Sequence, residues 1–221
     1  MKVTLVDSMG TDLSVANAAR VSFAKKNEEF KEPGDRKLIN FLGKHGHWTP
    51  FGHCTLSFHI EAPIFVARQL VKHQVGLVWN EVSRRYVDYE PEFWYPEHWR
   101  GRAEDKKQGS SEEFVDWLDR AERTGGRVAK TCEFAMHTYK TLLEAGVCPE
   151  QARMVLPQNT YTEWYWTGSL YAFARVCNLR CQSDAQKETR DVAWEIQDLA
   201  KEKFPVSWPA LFDDTKGKSD G

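Results

Sequence analysis

The sequence predicts an α+β fold built as one domain. Residues 54–60 alternate Cys54, Leu56, Phe58 and Ile60 with Thr55, Ser57 and His59, the period of a half-buried strand. Residues 160–166, TYTEWYW, are β-branched and aromatic and read as a second strand. Elsewhere apolar residues recur at helical spacing. Neither a repeat nor a linker divides the 221 residues, a length that buries a sizeable core.

After a short apolar start, residues 13–25 read as a helix with small and apolar residues on one face. A second helix is predicted from Asp35, as N-cap, to about Gly43, with Leu38, Ile39, Phe41 and Leu42 facing inward. The stretch KHGHWTPFGH is turn-rich. Pro63 suits the first turn of the helix that follows, which carries Ile64, Phe65, Val66, Leu70 and Val71 on into KHQV until Gly76 breaks it. Residues 90–101 form an aromatic loop with two prolines. A helical region follows over about 112–145, interrupted at Gly125 and Gly126. Pro149 opens a short helix that Pro157 closes. Ser169 caps an apolar helix, Ser183 and Gln186 resemble a capping box for the next, and a mobile tail is expected from about residue 214.

Thirty basic against 32 acidic side chains leave a net charge of -2, without the basic field that nucleic-acid or membrane-surface binding needs. No segment offers the roughly 20 apolar residues of a membrane span, and the N-terminus lacks a signal peptide's apolar stretch. Five cysteines, odd in number and without a CxxC pattern, suit free buried thiols in a reducing cytoplasm. The nine Trp, seven Tyr and twelve Phe suit a large core and a subunit interface.

Two polar clusters carry chemistry. Arg68, Gln69, Lys72, His73 and Gln74, followed by Asn80, Glu81, Ser83, Arg84, Arg85 and Tyr86, bring cations, amides and hydroxyls to one helix end and loop. Arg68 and Lys72, four apart, are expected on one helix face. These are groups that grip phosphates and pyrimidine edges, although a solvated helix end has the same composition. The second cluster is Arg153, with apolar neighbours, together with Asn178 and Arg180. Tyr171, Arg175 and Asn178 share a face of the Ser169-capped helix, from which Arg180 points away unless the helix has ended.

At these residues the chain resembles the flavin-dependent thymidylate synthases. KHQVGLVWNEVSRRY is similar to their signature, an Arg-His-Arg triplet before an Asn-Glu-x-Ser-x-Arg-Tyr block. HWTPFGH, FHIEAPIFVARQ, ARMVLPQNTYTEWYWT and NLRCQSDAQ match further segments in the family's order, over roughly residues 45–190. The resemblance implies a central, mostly antiparallel sheet flanked by helices. It implies methylation of dUMP to dTMP with methylenetetrahydrofolate as carbon donor, NADPH as reductant and bound FAD. It also implies a homotetramer whose active sites are shared between subunits.

The implied roles follow the matched positions. Lys72, His73 and Gln74 lie against the flavin with Glu81 nearby, and His47 and Thr49 line the same site. Ser169, Tyr171 and Arg175 contact FAD from a neighbouring subunit. Gln69, Lys72, Ser83, Arg84, Arg85 and Arg153 hold dUMP, and Arg180 activates its uracil ring. The chain departs from the pattern in three places. The triplet reads Lys-His-Gln, the interval from His73 to Asn80 is one residue longer, and Arg175 stands where asparagine is common.

Three rival functions compete. His45, His47, His53, Cys54 and His59 crowd together like zinc ligands, but no HExxH or paired CxxC motif accompanies them, and no metal is expected. A nucleotide- or RNA-binding module would use the arginines without turnover; the near-neutral charge opposes it. The classical thymidylate synthase needs a cysteine nucleophile, and none of the five cysteines sits in a fitting context, Cys148 being expected to pack before a helix start.

Overall fold

The structure, a computed structural model, describes residues 1–104, 109–123 and 125–213. The strands are β1 (Lys2–Met9), β2 (Thr55–Pro63), β3 (Leu77–Glu81), β4 (Arg100–Arg102), β5 (Ser110–Phe114) and β6 (Tyr161–Ser169). The helices begin with α1 (Asp12–Arg20), α2 (Gly34–Lys44), α3 (Thr49–Gly52), α4 (Ile64–Leu70) and α5 (Asp116–Arg123). They continue as α6 (Arg127–Glu144), α7 (Pro149–Ala152), α8 (Leu170–Arg180), α9 (Lys187–Lys203) and α10 (Ser207–Leu211). One sheet has the order β1-β2-β6-β3, and β4 pairs antiparallel with β5 in a second. The expected α+β class with an antiparallel sheet is borne out.

The chain groups into two compact units. The first comprises Met1–Ile60, Leu70–Asn80 and the chain from Tyr165 on; the second comprises Glu61–Gln69 and Glu81–Trp164. In the first, Leu56, Phe58 and Ile60 point to the buried face of β2, as their alternation requires. Phe58 and Trp166 both meet Phe173 of α8 edge-on, at centroid distances of 5.0 and 5.2 Å. Helix α8 packs on α9, and α10 on α2. The second unit buries Val66, Cys132, Tyr139, Ala152 and Trp164.

Several elements differ from the sequence expectation. Residues 2–9 form strand β1, which has no wholly buried residue and so leaves a weak apolar signature. Asp35 lies inside α2 rather than at its N-cap, because its buried carboxylate accepts bonds from the Arg20 guanidinium and, at 2.9 Å, from the Lys31 N–H. Phe41 is half exposed, its ring against that of His45 at 4.1 Å. Pro63 ends β2 and α4 stops at Leu70, so Lys72 lies beyond the helix and shares no helix face with Arg68. The region 112–145 begins as strand β5, whose pairing with β4 overrides helix propensity, and then divides into α5 and α6 around the two glycines. Gln186 caps α9 without a side-chain bond; its amide donates to Glu188 instead, while the Ser183 carbonyl accepts from Arg190. Four cysteines are buried as expected, but Cys148 is exposed. The tail expected from 214 lies outside the described residues.

Asp12, buried at the start of α1, accepts the Val206 N–H at 3.0 Å and the Ser207 N–H at 2.8 Å and so ties the α9–α10 junction to α1. Asp12→Ala leaves two backbone donors without their acceptor and is expected to cost at least about 2 kcal/mol, read as a lowered denaturation midpoint.

Candidate functional site

In the first unit, the chain from Leu70 follows a tight path that carries the triplet. The His73 N–H donates to Leu70 O at 3.0 Å. Residues 74–77 then turn, with Leu77 N–H donating to Gln74 O at 3.2 Å and Gly76 at φ +77°, a position glycine suits. Gly168 of β6 makes room for this turn, since a Cβ there would overlap Gly76 O and Leu77. The Ser169 N–H donates to Gly76 O at 3.3 Å, and the Ser169 hydroxyl accepts the Ala172 N–H at 3.2 Å, capping α8 as expected.

Helix α8 delivers the cations. Arg180, in its last turn, donates its Nε–H to His73 Nε2 at 2.9 Å, and both side chains are half-buried. Among the described residues no further hydrogen bond engages the Arg180 Nη groups. Burial, then the charges of Arg180 and Arg175, push the His73 imidazole below its ordinary range, so the neutral ring is favoured. Lys72, Gln74 and Arg175 are exposed. Tyr171 packs its ring 5.7 Å from that of Trp48, next to exposed Thr49, and exposed His47 presents its ring edge-on to Phe41 at 5.9 Å. Asn178 is absent from this group, its amide taken by Leu211 O and the Asp213 N–H.

The second unit holds the other predicted residues. Ser83 accepts from the Arg85 backbone N–H at 3.4 Å and from its Nε at 3.2 Å, and Arg85 lies 4.9 Å over the Tyr86 ring. Arg84 is buried, donating from Nη1 to Tyr89 O at 2.8 Å with its guanidinium 4.5 Å over the Tyr89 ring, so part of its donor set shapes the loop. Arg153 is exposed rather than enclosed by its apolar neighbours, with Nε on Glu150 O at 3.2 Å and no bond to the other predicted arginines. Gln69 is half-buried on α4. Glu81 receives the Thr162 hydroxyl at 2.8 Å, a partner the sequence reading missed although the alternation of β6 places Thr162 on its buried face.

Among the described residues no group of three or more His, Cys, Asp or Glu side chains is placed to hold a metal ion, and no helix is long and apolar enough to cross a membrane. Burial, then the charge of Asp12, pushes the Cys54 thiol up to about 11, and burial raises Cys177 well above its ordinary value. Neither is a ready thiolate nucleophile.

A family model described as "Thymidylate synthase complementing protein" matches residues 4–206. The flavin-dependent thymidylate synthase of Thermus thermophilus is 40% identical over 209 residues, covering 95% of this chain and 74% of that protein. The chain belongs to the flavin-dependent thymidylate synthase family. The family's enzyme from Thermosipho africanus is 41% identical over 208 residues, covering 94% and 89% of the two chains. A crystal structure of the UMP/dUMP methylase PolB from Streptomyces cacaoi bound with 5-Br dUMP has a TM-score of 0.83 at 32% identity, covering 95% and 93%. The same methylase bound with 5-Br UMP scores 0.82 at 30% identity, covering 95% and 92%.

The Gly168–Gly76 approach is expected to be indispensable to this family member's triplet turn. Gly168→Ala overpacks it and is expected to destabilise the protein by about 1–3 kcal/mol, read by thermal unfolding.

Proposed function

We propose that the chain catalyses the reductive methylation of dUMP to dTMP, with methylenetetrahydrofolate as carbon donor, NADPH as reductant and FAD as bound cofactor. The observation that carries this is the Arg180 guanidinium, fixed through Nε with its Nη groups open, within a flavin-dependent thymidylate synthase family member. Carbon 5 of uracil is a weak nucleophile until electron density is pushed toward it. A guanidinium held beside N3 or a ring carbonyl stabilises the anionic form of the pyrimidine, and one preorganised donor of this kind is worth about 3 kcal/mol.

The residues fit the cofactor. Lys72 and Arg180 bring positive charge and His73 a neutral ring to one region of the first unit, a donor set suited to an anionic dinucleotide. His47, Thr49, Gln74 and Glu81 are further proposed flavin contacts, and Ser169, Tyr171 and Arg175 are proposed to reach the flavin from a neighbouring subunit. FAD, when bound, supplies the hydride chemistry; the protein binds, orients and excludes water. Gln69, Lys72, Ser83, Arg85 and Arg153 are the proposed hold on dUMP, with Arg84 acting both there and on the loop it braces. The two compact units are proposed to act as one domain, a reading supported by β2, β3 and β6, each of which contributes residues to both. A homotetramer with shared sites is the proposed assembly, and the free thiols support a reducing cytoplasm.

The PolB likeness favours assaying UMP beside dUMP. With carbon-labelled methylenetetrahydrofolate, NADPH and FAD, label is expected in the methyl group of dTMP; a folded, FAD-loaded protein that labels neither nucleotide contradicts the assignment. Arg180→Ala is expected to lower kcat/KM for dUMP at least about a hundredfold with the fold kept. Unchanged activity in that variant would refute the role of Arg180.

A further inference from the structure

We propose that His73 is a positioning residue for Arg180, its neutral Nε2 holding the guanidinium by one edge so that both Nη groups face the bound pyrimidine nucleotide. This rests on the assignment of Arg180 made above. An arginine side chain free in solvent samples many rotamers, and ordering it costs about 2 kcal/mol of entropy. A hydrogen bond at Nε removes much of that freedom before the ligand arrives. It does so without occupying the donors a planar carbonyl or phosphate would use. In this structure Nε is taken at 2.9 Å, and no other hydrogen bond among the described residues touches the guanidinium.

The imidazole is itself held. The bond from its backbone N–H to Leu70 O, the turn at Gly76 and the close wall of Gly168 fix the path of the chain behind it. Accepting from Arg180 requires the ring proton to sit on Nδ1 and Nε2 to keep its lone pair. The charged groups that bear on the ring are Arg180 and Arg175, both from α8, and burial acts in the same direction; all three disfavour the imidazolium. Arg175 adds a positive charge that keeps this histidine an acceptor.

The same geometry predicts an acid limit. A protonated His73 has no lone pair at Nε2 and places a cation against a cation. Because the folded value lies below the ordinary 6.5, the contribution of the neutral pair is present above about pH 6.5 and is lost as the pH falls through the lowered value. The phosphate of dUMP also titrates near pH 6, so a single profile does not isolate His73. His73→Gln separates the two: its amide oxygen can accept near the Nε2 position but does not titrate.

The test is calorimetric titration of dUMP into the FAD-loaded full chain between about pH 5 and 8, for the wild type and His73→Gln. The ratio of wild-type to His73→Gln affinity is expected to fall toward the acid end as the His73 ring takes up its proton. His73→Ala is expected to bind dUMP more weakly than wild type above about pH 6.5, where the neutral pair is intact. A constant ratio, or wild-type affinity in His73→Ala above that pH, overturns the proposal. A second readout needs neither ligand nor activity: the carbon resonance of the His73 ring, followed against pH in wild type and in Arg180→Ala. Removing Arg180 is expected to raise the titration midpoint toward 6.5. An unmoved midpoint overturns the pairing even if a His73 variant fails to fold. Should the wild type make no dTMP while the midpoint moves as expected, the assigned reaction fails and the His73–Arg180 pairing survives it.

Discussion

A guanidinium anchored through one edge and open at the other is the constraint to which the rest of the first unit answers. Arg180 can serve an incoming base only if its acceptor stays neutral and does not move. His73 is kept neutral by burial and by two arginines on a single helix. It is kept in place by a turn whose backbone needs glycine at one corner and whose neighbouring strand needs glycine to let it pass. Electrostatics and packing therefore converge on one side chain.

The fold brings these pieces together from distant parts of the sequence. Strand β6 runs directly into α8 at Ser169, whose hydroxyl caps the helix and whose backbone N–H reaches the Gly76 carbonyl. One residue thus fixes where α8 starts and where the triplet turn lies against it. Eleven residues of helix later, Arg180 arrives opposite His73. The aromatic core under this junction, Phe58, Trp166 and Phe173, is buried and supplies the rigidity that a hydrogen bond of fixed length demands.

Much of this was legible in the residues, and what was not has physical causes. Strand β2 and the Ser169 cap announced themselves because alternation and capping are local. Strand β1 did not, since an edge strand without a buried residue carries little apolar signal. The β4–β5 hairpin hid inside a helix-like composition that only its pairing partner overrules. Lys72 was expected on a helix because apolar periodicity continues through Val71; the Leu70 carbonyl, taken up by His73, ends the helix instead. Family motifs named His73 and Arg180 separately. No spacing rule joins residues 107 apart, so their hydrogen bond emerged only in three dimensions. Thr162 beside Glu81 is a similar case, a strand neighbour visible in pattern but not in partnership.

A structure of the chain with FAD and dUMP bound tests the central arrangement most directly. The account predicts Arg180 Nε still on His73 Nε2, with an Nη about 3 Å from the pyrimidine ring's N3 or a carbonyl oxygen. A bound uracil whose polar edge meets other donors, with Arg180 swung away from His73, would contradict it.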